Sequence, residues 1–183
     1  MTLTKQIIVL LTLCLSACSS YNASVDKQVG YDFSQVDSYH IVADSHDKNR
    51  MLSDIDRNRI NAAIDTQSQA QGLEKVSLEK ADIMIAYFLV TKDKIDVDTT
   101  YSGHYGRYYG PGYAGVSTVH THDYVEGTLV IDFIDSKTKQ SVMRSTLSKK
   151  LKQLDSAQER EEEINKVIAT MFEKIKFSES QQA

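Results

Sequence analysis

The chain contains no tryptophan, a single proline and only two cysteines, Cys14 and Cys18. The remainder of the chain therefore has no internal disulfide framework, and cysteine usage says nothing about the redox compartment. Positive charge is not in excess. Against 21 Lys+Arg stand 25 Asp+Glu, a net charge of −4, which argues against a nucleic-acid partner, since such a partner normally asks for a basic face. What is present fits one globular core: 183 residues, 41% hydrophobic and 25% charged, far from the low-hydrophobicity balance that keeps chains disordered.

The amino terminus has three parts. Lys5 precedes the apolar run of residues 7–15, which the small residues Ser16 and Ala17 separate from Cys18. The run is shorter than the about 20 residues a membrane-crossing helix needs, and it matches the length of a secretory signal core. Leu15-Ser16-Ala17-Cys18 resembles the lipobox of bacterial lipoproteins. That resemblance implies cleavage before Cys18, a thioether-linked diacylglycerol on its sulfur and acylation of the new amino terminus. Two or three acyl chains make such an anchor effectively permanent. Ser19, where inner-membrane retention would favour Asp, implies by the same resemblance the periplasmic face of the outer membrane. Loss of residues 1–17 removes Lys5 alone among the charged side chains, so the mature product carries a net charge of −5. Residues 18–30 are polar and aperiodic and read as a flexible, lipidated leash, spanning roughly 20 Å and holding the domain just clear of the headgroups. The single domain is expected over 31–177, with a disordered tail at 178–183.

Within the domain, Phe33, Tyr39 and Ile41 predict a first strand after a turn at 34–37. Ser53 followed by Asp56 resembles a weak capping box, and Leu52, Ile55, Ile60, Ala63 and Ile64 form the stripe of a helix over 53–71, ending at Gly72. Residues 83–90 are apolar on both faces, and Ile95, Val97, Thr99 and Tyr101 continue their odd parity. This predicts a long strand, central at its start, whose second half bends or bulges from the sheet. Val125, Leu129, Ile131 and Phe133 alternate down a further strand that turns at 135–140 into a return strand carrying Val142, Met143 and Leu147. Asp155 or Ser156 caps a last helix with the stripe Ile164, Val167, Ile168, Met171, Phe172 and Ile175. The order implies an α+β fold, a mainly antiparallel sheet with two helices packed on one face.

No motif supplies a catalytic set. Gly110, Gly112 and Gly115 spell a dinucleotide fingerprint, but neither a leading strand nor a following helix flanks them, so no cofactor is expected. The tyrosines at 101, 105, 108, 109 and 113 instead mark a mobile loop suited to contact with a partner protein or glycan. His120 and His122 share one strand face, turned to solvent by parity, and two imidazoles fall short of a closed metal-ligand set. Asp96 and Asp98 also share a face, among the charges of Lys92, Asp93 and Lys94. Neither a nucleophile elbow nor a free thiol remains in the mature chain.

Tyr31-Asp32-Phe33-Ser34-Gln35, Ala81-Asp82 and above all the stretch from Glu126 to Lys139 resemble the bacterial lipoproteins that carry the domain of unknown function 4136, over about 31–177. Members often have tryptophan near the positions of Ile41 and Met143, where this chain has none. The resemblance implies an α/β lipoprotein domain and no activity, so Cys18 is the one functional residue it carries over. The expected function is that of a non-enzymatic outer-membrane lipoprotein that binds or scaffolds an envelope partner. The alternative is a periplasmic metal-binding module using His120 and His122.

Overall fold

The computed structural model describes residues 21–42, 52–102 and 116–177. Six strands form one sheet: β1 (Ala23–Lys27), β2 (Ser38–Ile41), β3 (Glu74–Lys75), β4 (Ile83–Ser102), β5 (Val116–Asp135) and β6 (Ser141–Lys150). Two α-helices, α1 (Asp54–Ala70) and α2 (Ala157–Glu173), complete the fold with a short 3-10 turn at Phe33–Gln35. The spatial order is β1-β6-β5-β4-β2-β3. β4, β5, β6 and β1 pair antiparallel, whereas β2 runs parallel to both β3 and β4. The expected α+β fold with a mostly antiparallel sheet is therefore observed. The parallel edge was not anticipated; it arises because α1 serves as the crossover that a parallel connection requires.

Odd-numbered residues of the central strands make the core face. Ile85 lies opposite Phe133 and Tyr87 opposite Ile131, and all four are buried. Both helices cover that face. From α1, Asp65 accepts a hydrogen bond from the Tyr39 hydroxyl at 2.9 Å; from α2, the Phe172 ring meets Phe133 edge to face at 5.9 Å. Burial and the Asp65 carboxylate push the Tyr39 phenol up to about 12. The helix ends are capped as the sequence indicates. Ser53 Oγ accepts from the Asp56 amide at 3.2 Å and Ser156 Oγ from the Glu159 amide at 3.0 Å, each satisfying a first-turn donor. The expected stripe of α2 is buried from Val167 to Ile175 with Ile164 packed at its margin. In α1 the stripe starts later than expected: Ile60, Ala63 and Ile64 are buried while Ile55, in the first turn, is exposed.

The leash reading needs correction. Residues 23–27, inside the segment assigned to a flexible tether, form β1, paired residue by residue with β6 from Ala23 opposite Leu147 to Lys27 opposite Met143. Ala23 is buried, and Tyr21 and Val25 pack against the core. The folded domain thus begins by Tyr21, ten residues before the expected start at Tyr31. The physical reason is that β6 would otherwise be the bare edge of the sheet, and the alternation of Tyr21, Ala23 and Val25 supplies an apolar face with which β1 pairs along it. At the other end Phe177 is buried, and the expected tail at 178–183 lies outside the described residues.

Candidate functional site

β4 and β5 are each twenty residues long, twice the ten of β6, and their register holds without a break from Ile83 opposite Asp135 to Ser102 opposite Val116. Among the described residues β6 accompanies β5 only as far as Glu126, and β2 accompanies β4 only along 83–85. Residues 92–102 and 116–126 therefore project as a two-stranded ribbon. Of the expected bend or bulge in the second half of β4, the bulge is absent: β5 is equally long and supplies a partner at every position.

The two faces of the ribbon differ in kind. On one, Ile95, Val97, Val119 and Val125 are 66%, 56%, 58% and 39% exposed, with Thr99 opposite Val119, Thr121 opposite Val97, and two carboxylates among them, Asp123 opposite Ile95 and Asp93 opposite Val125. On the other, Asp96 faces His122 and Asp98 faces His120. Nearer the body, Lys94 pairs with Glu126 at 2.6 Å, which raises the Lys94 ammonium above the usual lysine range, and Lys150 lies over the Tyr124 ring at 4.7 Å. The structure thus brings together the histidine pair and the aspartate pair that sequence reading kept apart. The signal was available in principle: the buried pair Ile85 and Phe133 fixes every later pair once the strands are known to stay in register. Both histidines are exposed, and among the described residues no group of three or more His, Cys, Asp or Glu side chains is placed to hold a metal ion. The tyrosine-rich segment, including Tyr105, Tyr108, Tyr109 and Tyr113, connects the ribbon strands but lies outside the described residues, as do Cys18 and the signal segment.

Away from the ribbon, the solvent face of the sheet is polar at its β6 side. There Arg144 grips the Asp132 carboxylate through two hydrogen bonds, at 2.6 and 2.8 Å, and this pairing raises the guanidinium pKa. At the β5–β6 turn, the amide of Thr138 donates to Asp135 at 2.6 Å, the Lys137 amide at 3.0 Å and the Tyr31 hydroxyl at 2.8 Å. These donors, the Thr138 amide foremost, hold the Asp135 carboxyl below the usual carboxylate range. Burial and the same carboxylate raise the Tyr31 phenol.

A cavity of about 570 Å³ lies between both helices, the 151–154 segment and the sheet; sequence reading gave no sign of it. Leu89, Leu129 and Leu147 from the sheet and Ile60, Ile164 and Val167 from the helices line it, together with a polar cluster of Tyr21, Lys149 and Glu163. Tyr21 donates to Glu163 at 2.7 Å, and Lys149 forms an ion pair with Glu163. Burial, with Lys152 and Lys166 nearby, pushes the Lys149 ammonium below the usual lysine range.

Among solved structures the chain is similar to a PDZ domain protein from Parabacteroides distasonis, with 14% identity and a TM-score of 0.52 over 82% of this chain and 34% of that one. The chain spans about a third of that protein, and the likeness is one of fold. A DUF4136 family protein from Bacteroides thetaiotaomicron matches with 14% identity, a TM-score of 0.46 and coverage of 85% of this chain and 94% of that one. A PelC dodecamer from Paraburkholderia phytofirmans matches with 12% identity, a TM-score of 0.44 and coverage of 82% and 97%. No curated protein matches the chain. The sequence profile described as domain of unknown function (DUF4136) matches residues 21–175, most of the chain, which therefore belongs to that family.

Proposed function

We propose that the chain is a lipid-anchored binding domain of the bacterial envelope, held through Cys18 at the periplasmic face of the outer membrane and acting by contact with a protein or glycan partner, without catalysis. The lipobox-like Leu15-Ser16-Ala17-Cys18 and the following Ser19 support the anchor and its address. No described helix is long and apolar enough to cross a membrane, so this reading assigns membrane attachment to the lipid. The observation that carries the binding function is the ribbon. A two-stranded β-hairpin is at best marginally stable in water, and contiguous exposed apolar side chains mark contact surfaces. The helices bury the odd-numbered side chains of the body, from Ile83 to Tyr87 and from Leu129 to Phe133, whereas Ile95, Val97 and Val119 on the ribbon are exposed, so a partner surface is what would cover them.

The test is photo-crosslinking in intact cells from unnatural side chains at Val97 and Val119. One discrete envelope component captured at both positions, and lost in an Ile95→Lys/Val125→Lys variant that stays folded and anchored, is the expected result. An anchored, folded protein that captures nothing from either position refutes the reading. The metal-binding alternative gains the facing of Asp96 and Asp98 on His122 and His120 and lacks a closed ligand set among the described residues. Elemental analysis finding no metal above a His120→Ala/His122→Ala variant disposes of it.

A further inference from the structure

The cavity between helices and sheet is lined chiefly by leucine, isoleucine and valine, and its volume of about 570 Å³ falls within the roughly 300–1,000 Å³ of small-molecule sites. An open hollow of this size with a largely apolar lining holds water against leucine and isoleucine side chains unless something apolar displaces it. One lining side chain, Tyr21, identifies a candidate occupant. Tyr21 is gripped from three directions: its hydroxyl donates to Glu163 at 2.7 Å, and the ammonium groups of Lys149 and Lys166 lie over its ring at 4.7 and 5.0 Å. Its backbone leads directly into β1, which is fixed to β6. Only three peptide units separate Tyr21 from Cys18, a reach of at most about 11 Å even when fully extended. Whatever Cys18 carries therefore begins within about 11 Å of Tyr21, one of the residues lining the cavity.

We propose that one acyl chain of the lipid on Cys18 lies in this cavity, with the remaining chains in the bilayer. The inference rests on the lipidation reading above. The lining suits the junction of an acyl chain with its ester: leucine, isoleucine and valine supply hydrocarbon, while Lys149, Lys152 and Arg160 offer donors to the ester oxygens. Seating one chain would keep its methylenes from water while the protein crosses the aqueous periplasm. At the membrane it would fix the domain with the cavity turned to the lipid surface and the ribbon free to reach elsewhere.

The experiment feeds cells a palmitate analogue bearing a terminal diazirine, irradiates them, and maps the adducts by peptide mass spectrometry after intact-mass measurement of the mature protein. The expected result is a lipidated amino terminus at Cys18 with adducts on cavity residues such as Leu151, Leu154 or Val167, and an at least tenfold loss of those adducts in an Ile164→Trp variant that narrows the entrance. A lipidated protein whose adducts fall only on bilayer lipids overturns the seating and leaves the anchor intact. An unlipidated product overturns both readings. Equal adducts on a secreted form beginning at Ser19 behind an ordinary cleavable signal overturn the proposal in favour of free fatty acid as the occupant. The mapping in the unsubstituted protein decides the matter even if Ile164→Trp fails to fold.

Discussion

Deleting residues 18–29 separates the two readings of the amino terminus most directly. If that segment were a leash, a soluble domain starting at Gly30 would be as stable as one starting at Ser19. The structure predicts otherwise, because the deletion removes β1 and strips the cover from Leu147, which is 1% exposed beside Ala23. The ladder bonds between β1 and β6 roughly offset the backbone ordering they require, at about 1 kcal/mol each against about 1–2 kcal/mol per residue. The net loss then comes from side-chain burial. Ala23 is fully buried, and Tyr21 and Val25 partly so; at about 1.5–3 kcal/mol for a fully buried Val or larger side chain, the three together contribute on the order of 2–4 kcal/mol. With a urea dependence of about 2 kcal/mol per molar, the unfolding midpoint should fall by about 1–2 M. Paired urea titrations of the two soluble forms, followed by far-UV circular dichroism, measure this. Coincident midpoints would sink the assignment of β1 as part of the fold.

Phe133→Ala should cost about 3–5 kcal/mol in the same assay, since it empties a fully buried position where the rings of Phe172 and Phe177 meet Phe133 at 5.9 and 5.7 Å; a loss below 1 kcal/mol would contradict that packing. Asp135→Asn should be destabilising at neutral pH, with a gap to the parent that narrows with acid. The Asp135 carboxyl is held below its unfolded value, so its contribution is present above about pH 4 and fades as pH falls through the lower folded value; a gap unchanged from pH 7 to the acid limit would refute the role given to the Thr138 amide. Ser68→Ala should leave stability unchanged or raise it by up to about 1 kcal/mol, because the Ser68 hydroxyl is buried without a hydrogen-bond partner among the described residues; a loss above 1 kcal/mol in thermal unfolding would show that the hydroxyl is satisfied.

The elements that sequence reading recovered are those whose burial is written locally. In α2, Val167, Ile168, Met171 and Phe172 repeat at helical spacing behind a serine cap, and all four are buried. Phe133, Ile131 and Leu129 alternate as a half-buried strand must, and each faces the helices. β1 escaped because its apolar face consists of one alanine and two partly covered side chains between Asn22, Ser24 and Asp26, too weak a pattern to register until β6 is known to need a partner. The parallel pairing of β2 with β4 depends on where α1 returns the chain, which no local pattern records. The same limit applies to the cavity. Leu89, Leu147 and Ile164 come from three elements, and their convergence is a property of the packing angle. Of the surface residues, the solvent orientation of His120 and His122 followed from parity, whereas their facing of Asp98 and Asp96 required the register.

The outer rims of the ribbon carry a further consequence. Along 92–102 no strand among the described residues runs beside β4 on the side away from β5, which leaves main-chain donors and acceptors open to any extended peptide that comes near. Lys92, Asp93, Lys94, Asp96 and Asp98 crowd this stretch with charge of both signs, the usual means by which a bare strand edge discourages its own copies from zipping together into fibres. Such a charged rim discourages self-association along the ribbon, and exchanging those charges for valine or isoleucine should make it a seed for aggregation.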